Sequence, residues 1–109
     1  MLVSTAVKDQ FGIIRFEVDK ILGIEAGEFQ ESLVNLLEKN IKIIIIDLSG
    51  VKFVSSWGIG MLMHGLATTK NRGGEFMVAG ISEKVAKTFK NLKIFSILDI
   101  YPSIEAAMV

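Results

Sequence analysis

The stretch Ile43-Ile44-Ile45-Ile46-Asp47-Leu48-Ser49-Gly50-Val51-Lys52-Phe53-Val54-Ser55-Ser56-Trp57-Gly58-Ile59-Gly60 decides the fold. Four consecutive isoleucines have no polar face, so the strand they predict is covered on both sides, as in a sheet with helices packed on it. The strand ends in Asp47, passes through a short loop and delivers Ser55 and Ser56 to the start of a helix. Unpaired N–H groups and the positive end of the helix dipole collect there, which favours a phosphate. The run reads as a switch site on a small α/β domain.

Working outward, residues 2–7 predict a first strand and 11–18 a second, where Ile14, Phe16 and Val18 alternate with Arg15 and Glu17. Residues 19–24 read as a connection, although Ile21 and Leu22 are apolar. A helix is expected from about Glu25 to Asn40, with Phe29, Leu33, Leu36 and Leu37 on its inner face and Glu25 and Glu28 suiting the dipole of its first turn. After the strand at 42–48, a helix from about Ser56 to Lys70 ends at Gly73-Gly74. Residues 75–79 predict another strand. Ser82 caps a third helix with Val85, Phe89 and Leu92 inward. A short strand at 98–101 and a terminal helical turn after Pro102 complete the order. The expectation is one α/β domain over 1–109, a mixed but mostly parallel sheet of four to five strands with about four helices. Each helix supplies a crossover between parallel strands.

Composition narrows the function. Half of the 109 residues are hydrophobic and 22% are charged, which excludes disorder. Twelve basic residues balance twelve acidic ones, so neither nucleic acid nor a membrane is expected as a direct partner. With no cysteine there is no disulfide framework or thiolate metal site. Residues 1–5 carry no basic segment leading an apolar one, and no apolar run approaches spanning length, so a soluble cytoplasmic protein is expected.

On the helix after the serines, Ile59, Leu62, Met63 and Leu66 share the face expected to meet the core. Trp57, Met61, His64 and Thr68 fall opposite. A tryptophan and a methionine turned outward beside two serines predict an adhesive surface, because Trp is frequent among interface hot spots and Met adapts to irregular partners. The plain alternative is that Ser56 only caps the helix and Trp57 folds back over residues 19–24.

The order Asp47-Leu48-Ser49-Gly50-Val51-x-Phe53-Val54-x-Ser56-x-Gly58-Ile59-Gly60 resembles the signature of STAS domains, specifically the bacterial anti-sigma factor antagonists. Gly73-Gly74-Glu75-Phe76 leading a strand and Ile81-Ser82 opening a helix extend the resemblance over nearly the whole chain. It implies partner switching. The unphosphorylated antagonist binds an anti-sigma factor, usually a serine kinase of the histidine-kinase ATPase fold. That kinase phosphorylates it, and a serine phosphatase restores it. By position the phosphoacceptor is Ser56, with Ser55 the second choice. Ser55 stands where the family has Asp, and Trp57 where it has a small residue. The partner surface implied comprises Ser55, Ser56, Trp57, Gly58, Met61, His64 and Asp19, with Asp47 and Ser49 positioning the loop. No cofactor or metal is implied, and the expected state is a monomer or weak homodimer. The alternative within the family is a non-phosphorylated scaffold or transporter-accessory module.

Enzymatic readings find less support. His64 is the sole histidine, mid-helix, with no activated nucleophile paired to it. Asp47 lacks the acidic pair and the lysine that a phospho-accepting receiver requires. Gly58-Ile59-Gly60 has too few glycines for a dinucleotide fingerprint and no P-loop lysine. Glu25, Glu28 and Glu31 read as a solvated helix face.

Overall fold

β1 (Val3–Lys8) and β2 (Phe11–Phe16) form an antiparallel hairpin whose turn holds Asp9 at φ 55. The computed structural model describes all 109 residues. α1 (Ala26–Glu38) crosses to β4 (Ile43–Asp47), which pairs in parallel with β2. α2 (Ser56–Asn71) crosses to β6 (Glu75–Ala79), parallel to β4. α3 (Glu83–Asn91) leads to β7 (Asp99–Tyr101), parallel to β6, and α4 (Ile104–Ala107) closes the chain. The sheet order is β1-β2-β4-β6-β7. The mixed, mostly parallel five-stranded sheet with four helices matches the expected class.

The segment read as a plain connection contains a strand. β3 (Lys20–Ile21) pairs in parallel with β5 (Phe53–Val54) as a separate two-stranded ribbon. Ile21 is apolar because it is fully buried there, beneath the first turn of α2.

The two faces of the sheet are covered unequally. Ile44, Ile46, Ile14, Phe16, Phe76 and Val78 meet α1, α2 and α3 in the main core, where the rings of Phe16 and Phe29 stand 5.4 Å apart. The other face, carrying Ile45, Met77 and Ala79, is capped by the short α4 through Ala107, Ile104 and Met108. The four isoleucines are therefore covered on both sides, by three helices on one and by little more than one helical turn on the other.

Three expectations are corrected. Leu92, expected inward on α3, caps the helix end and is half exposed, while Val85 and Phe89 alone are buried. Met61, expected outward on α2, is 7% exposed and sits in the main core. Thr68, placed on the same outer face, is half-buried and accepts from Gln30 Nε2 at 3.2 Å.

The glutamates of the first helix are not one solvated face either. Glu25 is 1% exposed, and its carboxylate accepts from the Leu22 and Gly23 amides at 3.1 and 2.8 Å. Glu28 accepts from the Leu2 and Val3 amides, both at 2.9 Å, and so clasps the start of β1 to α1. These amides, Val3 first and Leu2 next, hold its carboxyl below the ordinary glutamate value against an opposing effect of burial, with a smaller contribution from the chain's amino terminus. Glu31 alone is exposed as expected.

Candidate functional site

The site is assembled by the loop from β4 to α2. Asp47, nearly fully buried at the end of β4, accepts from the Ser49 amide through Oδ1 at 3.0 Å and from Arg15 Nη1 through Oδ2 at 3.0 Å. The same guanidinium nitrogen donates to Ser49 Oγ at 3.3 Å. Leu48 and Val51 are buried below the turn, and the Val51 amide returns to the Leu48 carbonyl. Asp47 and Ser49 thus tie the loop at its start. At its end, the Asp19 carbonyl accepts from the Lys52 and Phe53 amides at 2.7 and 3.2 Å, while the rest of Asp19 faces solvent.

The two serines divide the work at the start of α2. Ser55, not Ser56, is the N-cap: it is extended at φ −77, ψ 169, and its Oγ accepts from the Gly58 amide at 3.1 Å. Its own amide donates to the Ile21 carbonyl at 2.9 Å, and its carbonyl accepts from Ile59 at 2.9 Å. Ser56 is the first residue of the helix, is exposed, and spends its hydroxyl on no other group of the chain. The Ser56 and Trp57 amides find no acceptor in the chain, as expected for a helix start. Free hydroxyl, free amides and the dipole converge at one point.

Gly58 was expected on the partner surface and is instead buried. A β-carbon there would lie 2.8 Å from both Cγ2 and the carbonyl oxygen of Ile21, so only glycine lets α2 start this close to β3. Trp57 takes the opposite direction, 80% exposed. It does not fold back: its backbone and Cβ rest on Gly23, and the indole stands in solvent.

Around it the chain exposes more apolar surface than the sequence suggested. Ile24 is 76% exposed and Leu22 about half, and both border a shallow hollow with Gly23 and Trp57. Phe53 on β5 is also partly open. A second hollow of about 410 Å³ is lined by Gly23, Ala26, Ser56, Trp57, Gly60, Met61 and His64, so buried Met61 forms its floor and exposed His64 its far side. Sequence reading noted Leu22 as apolar in a connection but did not place it, Ile24 or Phe53 at the site, and it missed the role of Glu25, which holds the loop bearing the first two. For Leu22 and Ile24 the available signal was the apolar character of a segment read as a connection.

No group of histidine, cysteine or carboxylate side chains is arranged to hold a metal ion, and no helix is long and apolar enough to cross a membrane.

A family model described as STAS domain matches residues 3–107. Among solved structures, a candidate anti-sigma factor antagonist from Thermotoga maritima is 25% identical, with a TM-score of 0.79 over 97% of this chain and 91% of that one. An anti-sigma factor antagonist from Mycobacterium paratuberculosis is 17% identical, with a TM-score of 0.78 over 97% and 89%. The chain also matches 17% of the length of a murine Solute Carrier 26 anion transporter, at 19% identity and a TM-score of 0.73 over 91% of this chain. At these last two identities the likeness is one of fold.

Proposed function

The chain belongs to the STAS domain family, and from that premise we propose that it is an anti-sigma factor antagonist acting by partner switching. It binds an anti-sigma factor that is also a serine kinase, through the surface around the α2 N-terminus. Phosphorylation of Ser56 releases it, and a serine phosphatase resets it. One observation carries this reading: Ser55 takes over the capping bond, which leaves Ser56 exposed with a free hydroxyl beside Trp57.

The physical mechanism is local. A phosphate on Ser56 brings about −1.5 to −2 charges to a point where helix amides and dipole accept it, so the fold is preserved. On the partner side the same charge enters a contact built from Trp57, Ile24 and Leu22 and has to be desolvated there. Disrupting the centre of such a contact costs about 2 kcal/mol or more, enough to reverse occupancy. Ser55 and His64 border this surface and Met61 and Gly58 shape it from below, whereas Asp19 lines a separate hollow with Arg15, Glu17 and Gly50.

The test is affinity capture from source-cell lysate with wild type, Ser56→Ala and Ser56→Asp as parallel baits, joined to phosphopeptide mapping after incubation with the captured kinase and ATP. Retention of a kinase-fold anti-sigma factor by wild type and Ser56→Ala but not by Ser56→Asp, with phosphate on Ser56, supports the reading. Equal retention by all three supports a constitutive STAS module. The likeness to a transporter-borne domain, and Ser55 and Trp57 in place of the usual Asp and small residue, favour that second reading.

A further inference from the structure

β1 is an edge of the sheet, and its outer side is only partly closed. The Leu2 carbonyl accepts from the Glu17 amide. In the register Ser4↔Arg15, Ala6↔Ile13 and Lys8↔Phe11, residues 4, 6 and 8 therefore exchange main-chain bonds with β2. The amides and carbonyls of Val3, Thr5 and Val7 point away from it. Glu28 already occupies the Val3 amide. Thr5 and Val7 remain, both exposed, on the run Ser4-Thr5-Ala6-Val7, which carries no charge, proline or bulge. Those are the devices by which edge strands are normally blunted.

We propose that β1 pairs antiparallel with β1 of a second copy about a two-fold axis at Ala6, joining the two five-stranded sheets into one. In this register Thr5 faces Val7 of the second copy and Val7 faces its Thr5. Each pair exchanges both main-chain hydrogen bonds, so every unpaired group of the two residues is satisfied at once. The neighbouring self-pairing registers are poorer. A shift toward the N-terminus brings in the Val3 amide, which Glu28 holds; a shift the other way brings in Asp9, whose φ of 55 is not extended. On the axis Ala6 meets only another methyl at the closely spaced position. Ser4 faces the second copy's Lys8, and Ser4 Oγ is 2.8 Å from a Glu17 carboxylate oxygen; Arg15, across from Ser4, is shared by Glu17 at 3.5 Å and Asp47 at 3.0 Å, so the incoming ammonium meets a cluster of two acids and one base and offsets its excess negative charge. That charge match, and the strand's ability to satisfy itself, argue for a second copy as occupant. The contact is smaller than a standard interface, which makes the association weak and concentration-dependent. α2 packs on α1, β5 and β6, so the Ser56 surface stays open on each copy.

The test is sedimentation velocity of the full chain from micromolar to millimolar concentration, with residue-resolved amide exchange at both ends of the range. Val7→Pro and Thr5→Pro each remove a donor that faces away from β2, so the hairpin ladder is retained, and circular dichroism checks the fold. The expected wild-type mass rises toward twice that of the monomer, exchange at Thr5 and Val7 slows as it does, and both proline variants stay monomeric. Three results overturn the proposal: a wild type monomeric throughout, dimerisation with the Thr5 and Val7 amides still exchanging freely, or folded proline variants that dimerise like wild type. If neither variant folds, wild-type exchange at Thr5 and Val7 decides alone.

Discussion

Gly23 and Trp57 are packed backbone against side chain: a β-carbon added to Gly23 would lie 2.8 Å from Trp57 Cβ, and Gly23 holds φ +105. The loop and the helix start are therefore one surface. Gly23→Ala is expected to destabilise the protein by about 1–3 kcal/mol through strain and the clash together. The drop in urea midpoint measures it, and emission from the only tryptophan shifts in the same variant.

The two serines differ in what they hold, and stability separates them. Ser55→Ala removes the cap on Gly58 and is expected to cost about 1 kcal/mol. Ser56→Ala removes an exposed hydroxyl bonded to nothing and is expected to change stability by less than about 0.5 kcal/mol. Chemical denaturation of both variants checks this. The reverse ranking would return Ser56 to the role of cap.

Asp47→Ala strips the acceptor from the Ser49 amide and the Arg15 guanidinium. Arg15 is about half exposed and regains water, so the loss is expected near that of an unsatisfied neutral bond, about 1–3 kcal/mol. Because the loop is tied through this carboxylate, amide exchange at Ser49 and Val51 is expected to quicken in the variant more than exchange in β2.

Glu28 gives the acid limb of stability a definite sign. Its carboxyl is held below the ordinary value by the Val3 and Leu2 amides, so its contribution is complete above about pH 4.3, the value of an unfolded glutamate. That contribution is lost as the pH falls through the lower folded-state value. Glu28→Gln is expected to flatten the stability profile in this window and to leave β1 fraying at Leu2 and Val3 at every pH, as denaturation midpoints across pH and exchange at those amides will report.

Trp57→Ala removes a side chain that touches little but its own helix start and Gly23. Its stability is expected within about 0.5 kcal/mol of wild type, while, under the proposed function, capture of an anti-sigma factor falls to background. Loss of fold together with loss of capture would show that the indole is structural.

Much of this architecture was legible because strong patterns agree with the tertiary environment. The isoleucine run is buried where expected, and Phe29, Leu33, Leu36 and Leu37 form the inner stripe of α1. The α2 wheel failed for a reason specific to it. Gly58, Gly65 and Thr69, which add little hydrophobic weight, lie near the centre of its buried face. Leaving them out swings the apparent core toward Met63, which is only half-buried, and away from Met61, which is fully so. Nor is the exchange of roles between Ser55 and Ser56 visible in the chain, since either can cap and only the position of Gly58 decides. Glu25 hides similarly, a carboxylate at a helix start that bonds backward into the loop instead of to its own helix. The ribbon of β3 and β5 is too short for any period to register.

That ribbon has a mechanical consequence. Lys52 and Phe53 hang on the carbonyl of Asp19, and Ser55 on that of Ile21, so the loop that bears Leu22 and Ile24 and the segment that leads into Ser56 are stitched into one unit centred on Ile21. Under the proposed function, a partner seated on Leu22 and Ile24 and a kinase acting on Ser56 therefore grip the same hydrogen-bonded unit from two sides.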